Sequence, residues 1–97
     1  MYYVYRIEVE NKTRYIGYTE NLELRKKQHN YLCFKTHKKK ILYQSIRKLK
    51  TMSQIELIPI KSMKTKIDAK RYECFLILND YFNKKELWQK VPRITDF

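Results

Sequence analysis

The opening stretch YYVYRIEVE (residues 2–10) sets Tyr, Val and Ile in partial alternation with charged residues, the period-two pattern of a half-buried strand. ENKT follows as a turn, and RYIGY (14–18) reads as a second strand, close enough to the first for a short antiparallel hairpin. The spacing then becomes helical. TENLELRKKQHNYLCF has Thr19 or Asn21 as its N-cap, acids at its start and bases further on, so its charges align with a helix macrodipole. KTHKKK (35–40) reads as an exposed basic connection, and ILYQSIRKLK (41–50) again repeats apolar residues at helical spacing.

QIELIPIK (54–61) predicts a third strand, with Pro59 at its end or on a sheet edge, because proline has no N–H to give to a ladder. KIDAKRYECFLILNDYF (66–82) predicts the longest and most apolar helix. Its apolar face comprises Ile67, Cys74, Ile77, Leu78 and Tyr81, with Tyr72, Phe75, Leu76 and Phe82 covering the neighbouring arc. The tail from Asn83 onward has no clear period. The order β-β-α-α-β-α implies an α+β fold, a small, mainly antiparallel three-stranded sheet flanked by helices. With 97 residues, no internal repeat and no Gly/Ser/Pro-rich linker, one domain over 1–97 is expected.

Composition narrows the partners. A formal charge of +12 from 22 basic and 10 acidic residues draws polyanions, nucleic acid first and an anionic membrane surface second. Between Leu24 and Ile55 lie ten Lys or Arg and no acid, which makes Lys26, Lys27, Lys38, Lys39, Lys40, Arg47 and Lys48 candidate phosphate contacts. No apolar run is long enough to span a bilayer and the start lacks a secretory signal, so an intracellular, cytoplasmic protein is expected. Cys33 and Cys74 lack CxxC spacing and read as buried thiols.

Chemistry concentrates at a few positions. Glu73 is a carboxylate within YECFLIL, and such a group needs a cation, a metal or hydrogen bonds once buried. A salt bridge to a neighbouring turn answers that need as well as a functional role does. Arg25 and His29 lie four apart on one helix face, bracketed by Leu22 and Leu32, so that face turns partly towards the protein. Arg25 there suits a phosphate clamp; His29 suits an acid–base group, a phosphate donor or a satisfied helix histidine. Alternation puts Tyr3 and Tyr5 on one face of the first strand and Tyr2 on the other. Gly17, the only glycine in the chain, falls within or at the end of the second strand. Glycine weakens a strand, and close approach of a ligand or another backbone is a common reason to keep it.

Tyr5, then Tyr15-Ile16-Gly17 ten residues on, Arg25 eight beyond the glycine, His29 four further, and Glu73 alone in a late apolar helix together resemble the GIY-YIG nuclease family. The resemblance covers nearly the whole chain. It departs at the first motif, which reads Tyr3-Val4-Tyr5 rather than Gly-Ile-Tyr. His37 is a candidate for a further family histidine, and Asn83 for an asparagine that follows the glutamate.

The resemblance implies a metal-dependent DNA endonuclease. One Mg²⁺ or Mn²⁺ is held by Glu73, Arg25 neutralises charge on the phosphate, and Tyr5 deprotonates water with Tyr15 and His29 orienting it or the phosphate. Because no separate DNA-binding domain is attached, specificity comes from the module itself, a homodimer or a protein partner. Two alternatives stay open: a nucleic-acid-binding protein that keeps the fold without cutting, and a basic RNA- or membrane-surface protein recognised by charge alone.

Overall fold

The computed structural model describes residues 1–91. Strands β1 (Tyr2–Val9) and β2 (Lys12–Thr19) form the expected hairpin, but its turn is only Glu10 and Asn11, so β2 starts earlier than RYIGY. Both turn residues are left-handed, with φ of 54° and 67°. That geometry matches the twist of a two-residue hairpin, and Asn tolerates it better than Glu. Opposite Ile7 and Glu8 the register skips Arg14, leaving it in a bulge on β2.

Helix α1 (Leu22–Phe34) begins at Asn21, whose side chain accepts from the Leu24 N–H at 3.0 Å. Helix α2 (Ile41–Leu49) ends at Lys50, left-handed with φ 54°, and carries Arg47 and Lys48 in its last turn. Strand β3 (Ile58–Met63) begins four residues later than the pattern 54–61 predicts. Ile55 is buried instead in the core under α1, and the Asn30 side chain occupies its backbone: Asn30 Oδ1 accepts from the Ile55 N–H at 2.7 Å and Nδ2 donates to its carbonyl at 3.0 Å. Helix α3 (Lys66–Phe82) starts at Thr65, whose hydroxyl accepts from the Asp68 N–H at 3.1 Å.

The sheet order is β2-β1-β3, all antiparallel. Pro59 therefore sits on an edge strand, opposite Tyr5, with Ile60 bulged between it and Lys61. Central β1 divides the interior in two. Tyr5, Ile7 and Val9 face one way, with Tyr15, into a core completed by Cys33, Leu42, Tyr43, Ile46 and Ile55. Val4 and Ile16 face the other way onto Ala69 and Ile77 of α3, with Tyr2 and Tyr18 at the margin. On α3 only Ala69, Cys74 and Ile77 are buried. Ile67 and Tyr81, predicted on the packed face, are exposed, as are Phe75 and Phe82. The sheet offers α3 one narrow contact row, so the rest of an apolar helix stays in solvent.

Candidate active site

Tyr5 stands opposite Gly17 in the β1–β2 ladder. A Cβ on Gly17 would lie 2.6 Å from the Tyr5 hydroxyl oxygen, 2.7 Å from its Cζ and 3.0 Å from Tyr15 Cε1. The glycine has no positive φ, so what it supplies is space rather than backbone freedom. The group that needs this space is the Tyr5 phenol, a side chain of the sheet, rather than the ligand or other backbone expected from the sequence.

Laid over Gly17, the Tyr5 hydroxyl reaches His29 Nε2 at 2.8 Å, and His29 Nδ1 reaches the Tyr43 hydroxyl at 2.8 Å. All three side chains are buried. Tyr15, Tyr5 and Tyr43 each meet the imidazole edge-on, with centroids 5.5–5.9 Å away. Burial, reinforced by Arg25 and Lys40, pulls His29 down to about 3, so the ring is neutral at pH 7. Burial also raises the Tyr5 phenol, and Tyr15 adds to this, while Arg25 beside its hydroxyl works in the opposite direction. Tyr43 is pushed up to about 12, chiefly by burial. The neutral ring admits two arrangements: Tyr5 donates to Nε2 and Nδ1–H donates to Tyr43, or Nε2–H donates to Tyr5 and Tyr43 donates to Nδ1.

Two cations border this network. Burial opposes the charge of Arg25, but contact with Tyr5 and the nearness of Tyr15 and Tyr43 outweigh it and move its pKa up. Its Nη1 also donates to Gln28 Oε1 at 3.0 Å. Lys40 Nζ donates to the Tyr15 hydroxyl at 3.0 Å and sits 4.6 Å from the Tyr15 ring centroid. From the other face α3 brings Glu73, half-buried, close enough for its charge to bear on Tyr5 and for Lys40 to bear on it. Burial pushes the Glu73 carboxyl up to about 7, with Lys70 and Lys40 pulling it back in part. Tyr5, Tyr15, Arg25, His29 and Glu73 thus form one neighbourhood, to which α2 adds Tyr43 and Lys40.

The remaining candidates separate by environment. Lys27, Lys38, Lys39 and Lys48 are exposed. Lys26 pairs with Glu56 at 2.9 Å. Arg47 departs from the expected phosphate role: its guanidinium donates to the carbonyls of Cys33 at 2.9 Å and Lys38 at 2.5 Å, holding the α1–α2 connection in place. His37 is exposed on that connection, outside the buried network. Asn83 caps α3 and its side chain donates to Asn79 O at 2.8 Å, which accounts for it without Glu73. Tyr43 does not stand out in the sequence, where it is one apolar position among several on α2. Its sequence signal is a hydroxyl-bearing side chain on a buried face, which needs a partner.

The tail also joins the structure. The Trp88 N–H donates to the Arg14 carbonyl at 2.6 Å, and Arg14 Nη1 donates to the Glu86 carbonyl at 2.9 Å. The Gln89 side chain bridges Ile16, accepting from its N–H at 2.6 Å and donating to its carbonyl at 2.8 Å. Residues 86–89 thereby cover the outer edge of β2, which otherwise presents unpaired backbone groups.

Residues 1–86 match the GIY-YIG catalytic domain model, and the chain belongs to that family, whose members are nucleases. Comparisons with curated proteins and with solved structures give no significant match. The family generally uses a divalent metal ion. Among the described residues there is no cluster of three or more His, Cys, Asp or Glu side chains able to enclose one. A single half-buried carboxylate nonetheless fits a hydrated Mg²⁺, which keeps most of its waters and takes other ligands from substrate phosphates. No helix among the described residues is long and apolar enough to cross a membrane.

Proposed function

We propose that this nuclease is an endonuclease hydrolysing phosphodiester bonds in DNA, with one Mg²⁺ or Mn²⁺ held by Glu73. The single observation that carries this reading is the junction of the buried Tyr5–His29–Tyr43 chain with Arg25 and Glu73 in a strongly basic protein. A structural core has no need of three buried polar rings linked in series, since burying hydroxyls and an imidazole gains nothing over hydrocarbon of the same shape.

A divalent ion at Glu73 supplies Lewis-acid charge at the scissile phosphate and the leaving oxygen. The residues supply the rest. Arg25 receives a phosphate oxygen and offsets the negative charge that grows there in the transition state. Tyr5 is a poor base while it keeps its own proton, because its pKa is raised. It takes a proton from water as its phenolic proton passes to His29 Nε2, leaving the phenol neutral and the imidazole cationic. Arg25 and Lys40 disfavour that cation in the resting site. A bound phosphate compensates both positive charges, so substrate itself makes His29 a better proton acceptor. Tyr43 holds the ring in the required tautomer, and Lys40 fixes the Tyr15 hydroxyl.

The test is supercoiled plasmid incubated with Mg²⁺ or Mn²⁺, wild type beside Glu73→Gln, followed for nicked and linear forms. Metal-dependent cutting by wild type is expected, with a loss on the order of 10³-fold or more in the variant. DNA affinity should hold within about a factor of two, since the basic surface is untouched. Equal cutting by the two proteins would remove Glu73 from the reaction.

A further inference from the structure

Beyond the family match at residue 86, the tail lines a cleft of about 400 Å³ together with the active site. Its lining comprises Tyr15, Lys39, Lys40 and Ile41 on one side and Trp88, Gln89 and Lys90 on the other. Tyr15 belongs to both the cleft and the catalytic neighbourhood, through its contacts with His29 and Lys40. The cleft thus opens directly beside the place where the scissile phosphate is proposed to sit.

Its chemistry is that of a nucleotide subsite. Three lysines line it with no acid among the lining residues, which suits a phosphate, and an indole supplies a flat apolar surface, which suits a base. Trp88 is half-buried, packed on one side against the core of the Tyr5 face while it lines the cleft on another. Its own N–H is bound to Arg14 O, its neighbour Gln89 is bound at both ends to Ile16, and the Arg14 guanidinium sits 4.7 Å from its ring centroid. The bulge that leaves Arg14 unpaired with β1 turns this residue towards the tail. Stacking on a preorganised indole costs little ordering entropy, and every base offers a π-face.

We infer that this cleft binds one nucleotide of the DNA strand next to the scissile phosphate, with the base on Trp88 and the phosphate on Lys39 and Lys90. A base reaches an indole face only when it leaves the duplex stack, so the preferred substrate carries an unpaired nucleotide beside the cut. This inference rests on the DNA-nuclease reading above.

Trp88 is the only tryptophan in the chain, so indole emission, excited at wavelengths where the nine tyrosines do not absorb, reports this site alone. The probe is a fluorescently labelled single-stranded deoxyoligonucleotide, titrated without metal against full-length Glu73→Gln, with anisotropy measuring binding independently. Quenching of Trp88 that saturates with the anisotropy is expected, and much weaker quenching by relaxed, covalently closed duplex. Trp88→Leu, which keeps apolar packing, should weaken single-strand binding by roughly 5- to 100-fold, and Trp88→Phe should restore most of it. Unchanged Trp88 emission at saturating oligonucleotide, or equal quenching by closed duplex, overturns the inference. Metal-dependent plasmid cutting by wild type together with no quenching leaves the nuclease reading intact and sinks only the subsite; quenching together with no cutting by wild type sinks the nuclease reading and the placement beside a cut, and keeps only a single-strand nucleotide site at Trp88.

Discussion

The two faces of this sheet are built on different terms. The face under α1 and α2 buries Tyr5, His29 and Tyr43 in a hydrogen-bonded series and brings Arg25 and Lys40 to its rim. The face under α3 is ordinary apolar packing of Val4 and Ile16 on Ala69 and Ile77, and its one chemical group is Glu73. The polar face is where a change of one atom is felt, because the buried hydroxyls of Tyr5 and Tyr43 and both ring nitrogens of His29 are engaged with one another, and losing one group leaves another unpaired. The apolar face tolerates exposure of Ile67, Phe75 and Phe82 without any polar group losing a partner. The proposed function thus draws on both faces, but the buried polar series lies in one.

The sharpest way to break the polar face is Gly17→Val. The new Cβ overlaps the Tyr5 hydroxyl, and Tyr5 is a buried ring tied to His29, so it cannot swing aside without losing that bond. If Tyr5 is the proposed base, cleavage should fall on the order of 10²-fold or more, with a stability loss of about 1–3 kcal/mol from overpacking. Nuclease assays beside urea melts check both, and normal cutting would show that the tyrosine does not need its present position.

A pH series sets the two faces against each other. His29 is held near 3 in the fold against 6.5 unfolded, so the unfolded chain binds an extra proton between those values and stability from this group rises with pH. Glu73 is raised to about 7 against 4.5, so here the folded state binds the extra proton and stability falls as pH rises from 4.5 to 7. Between about 4.5 and 6.5 the two slopes cancel. Glu73→Gln should leave the His29 slope uncovered, about 1.4 kcal/mol per pH unit in that window, visible in Tm against pH. An identical profile in the two proteins would contradict the Glu73 shift. Metal binding at Glu73 must displace its proton, so cutting at low Mg²⁺ should climb as pH passes through about 7.

Tyr43→Phe is a finer probe, since it removes only the hydroxyl on His29 Nδ1. We expect a loss of roughly 1–2 kcal/mol for the buried nitrogen left unpaired, and a rate reduction of about tenfold from the freed tautomer. An unchanged rate with lowered stability would make Tyr43 a purely structural partner. The smallest effect is expected at the end of α2, outside the hydrogen-bonded series. Lys50 closes α2 in a left-handed conformation that favours glycine, so Lys50→Gly should stabilise by about 0.5–1 kcal/mol without altering cleavage. A fall in thermal midpoint would mean the lysine side chain contributes more than its backbone costs.

Much of the fold is legible in the sequence because local patterns and tertiary packing agree. The hairpin, the Asn21 cap of α1 and the bounds of α3 follow from alternation, capping chemistry and helical spacing. The start of the third strand is not legible, because QIEL is as strand-like in composition as IPIK. The Asn30 side chain, distant in sequence, takes the backbone of Ile55 out of the sheet. The candidate site is legible as a set of spaced residues, but the role of Arg47 is not, since a basic helix end looks the same whether it faces phosphate or its own loop.

Sequence by itself determined the element order, the charge and the types of group available, because these depend on neighbours in the chain. Only the tertiary structure decided why the single glycine lies in a strand, how His29 is shared by two tyrosines, and that the tail returns to line the site. Each of these depends on a contact across 12 to more than 70 residues, and no local period encodes which distant side chain will fill a missing Cβ or satisfy a buried nitrogen.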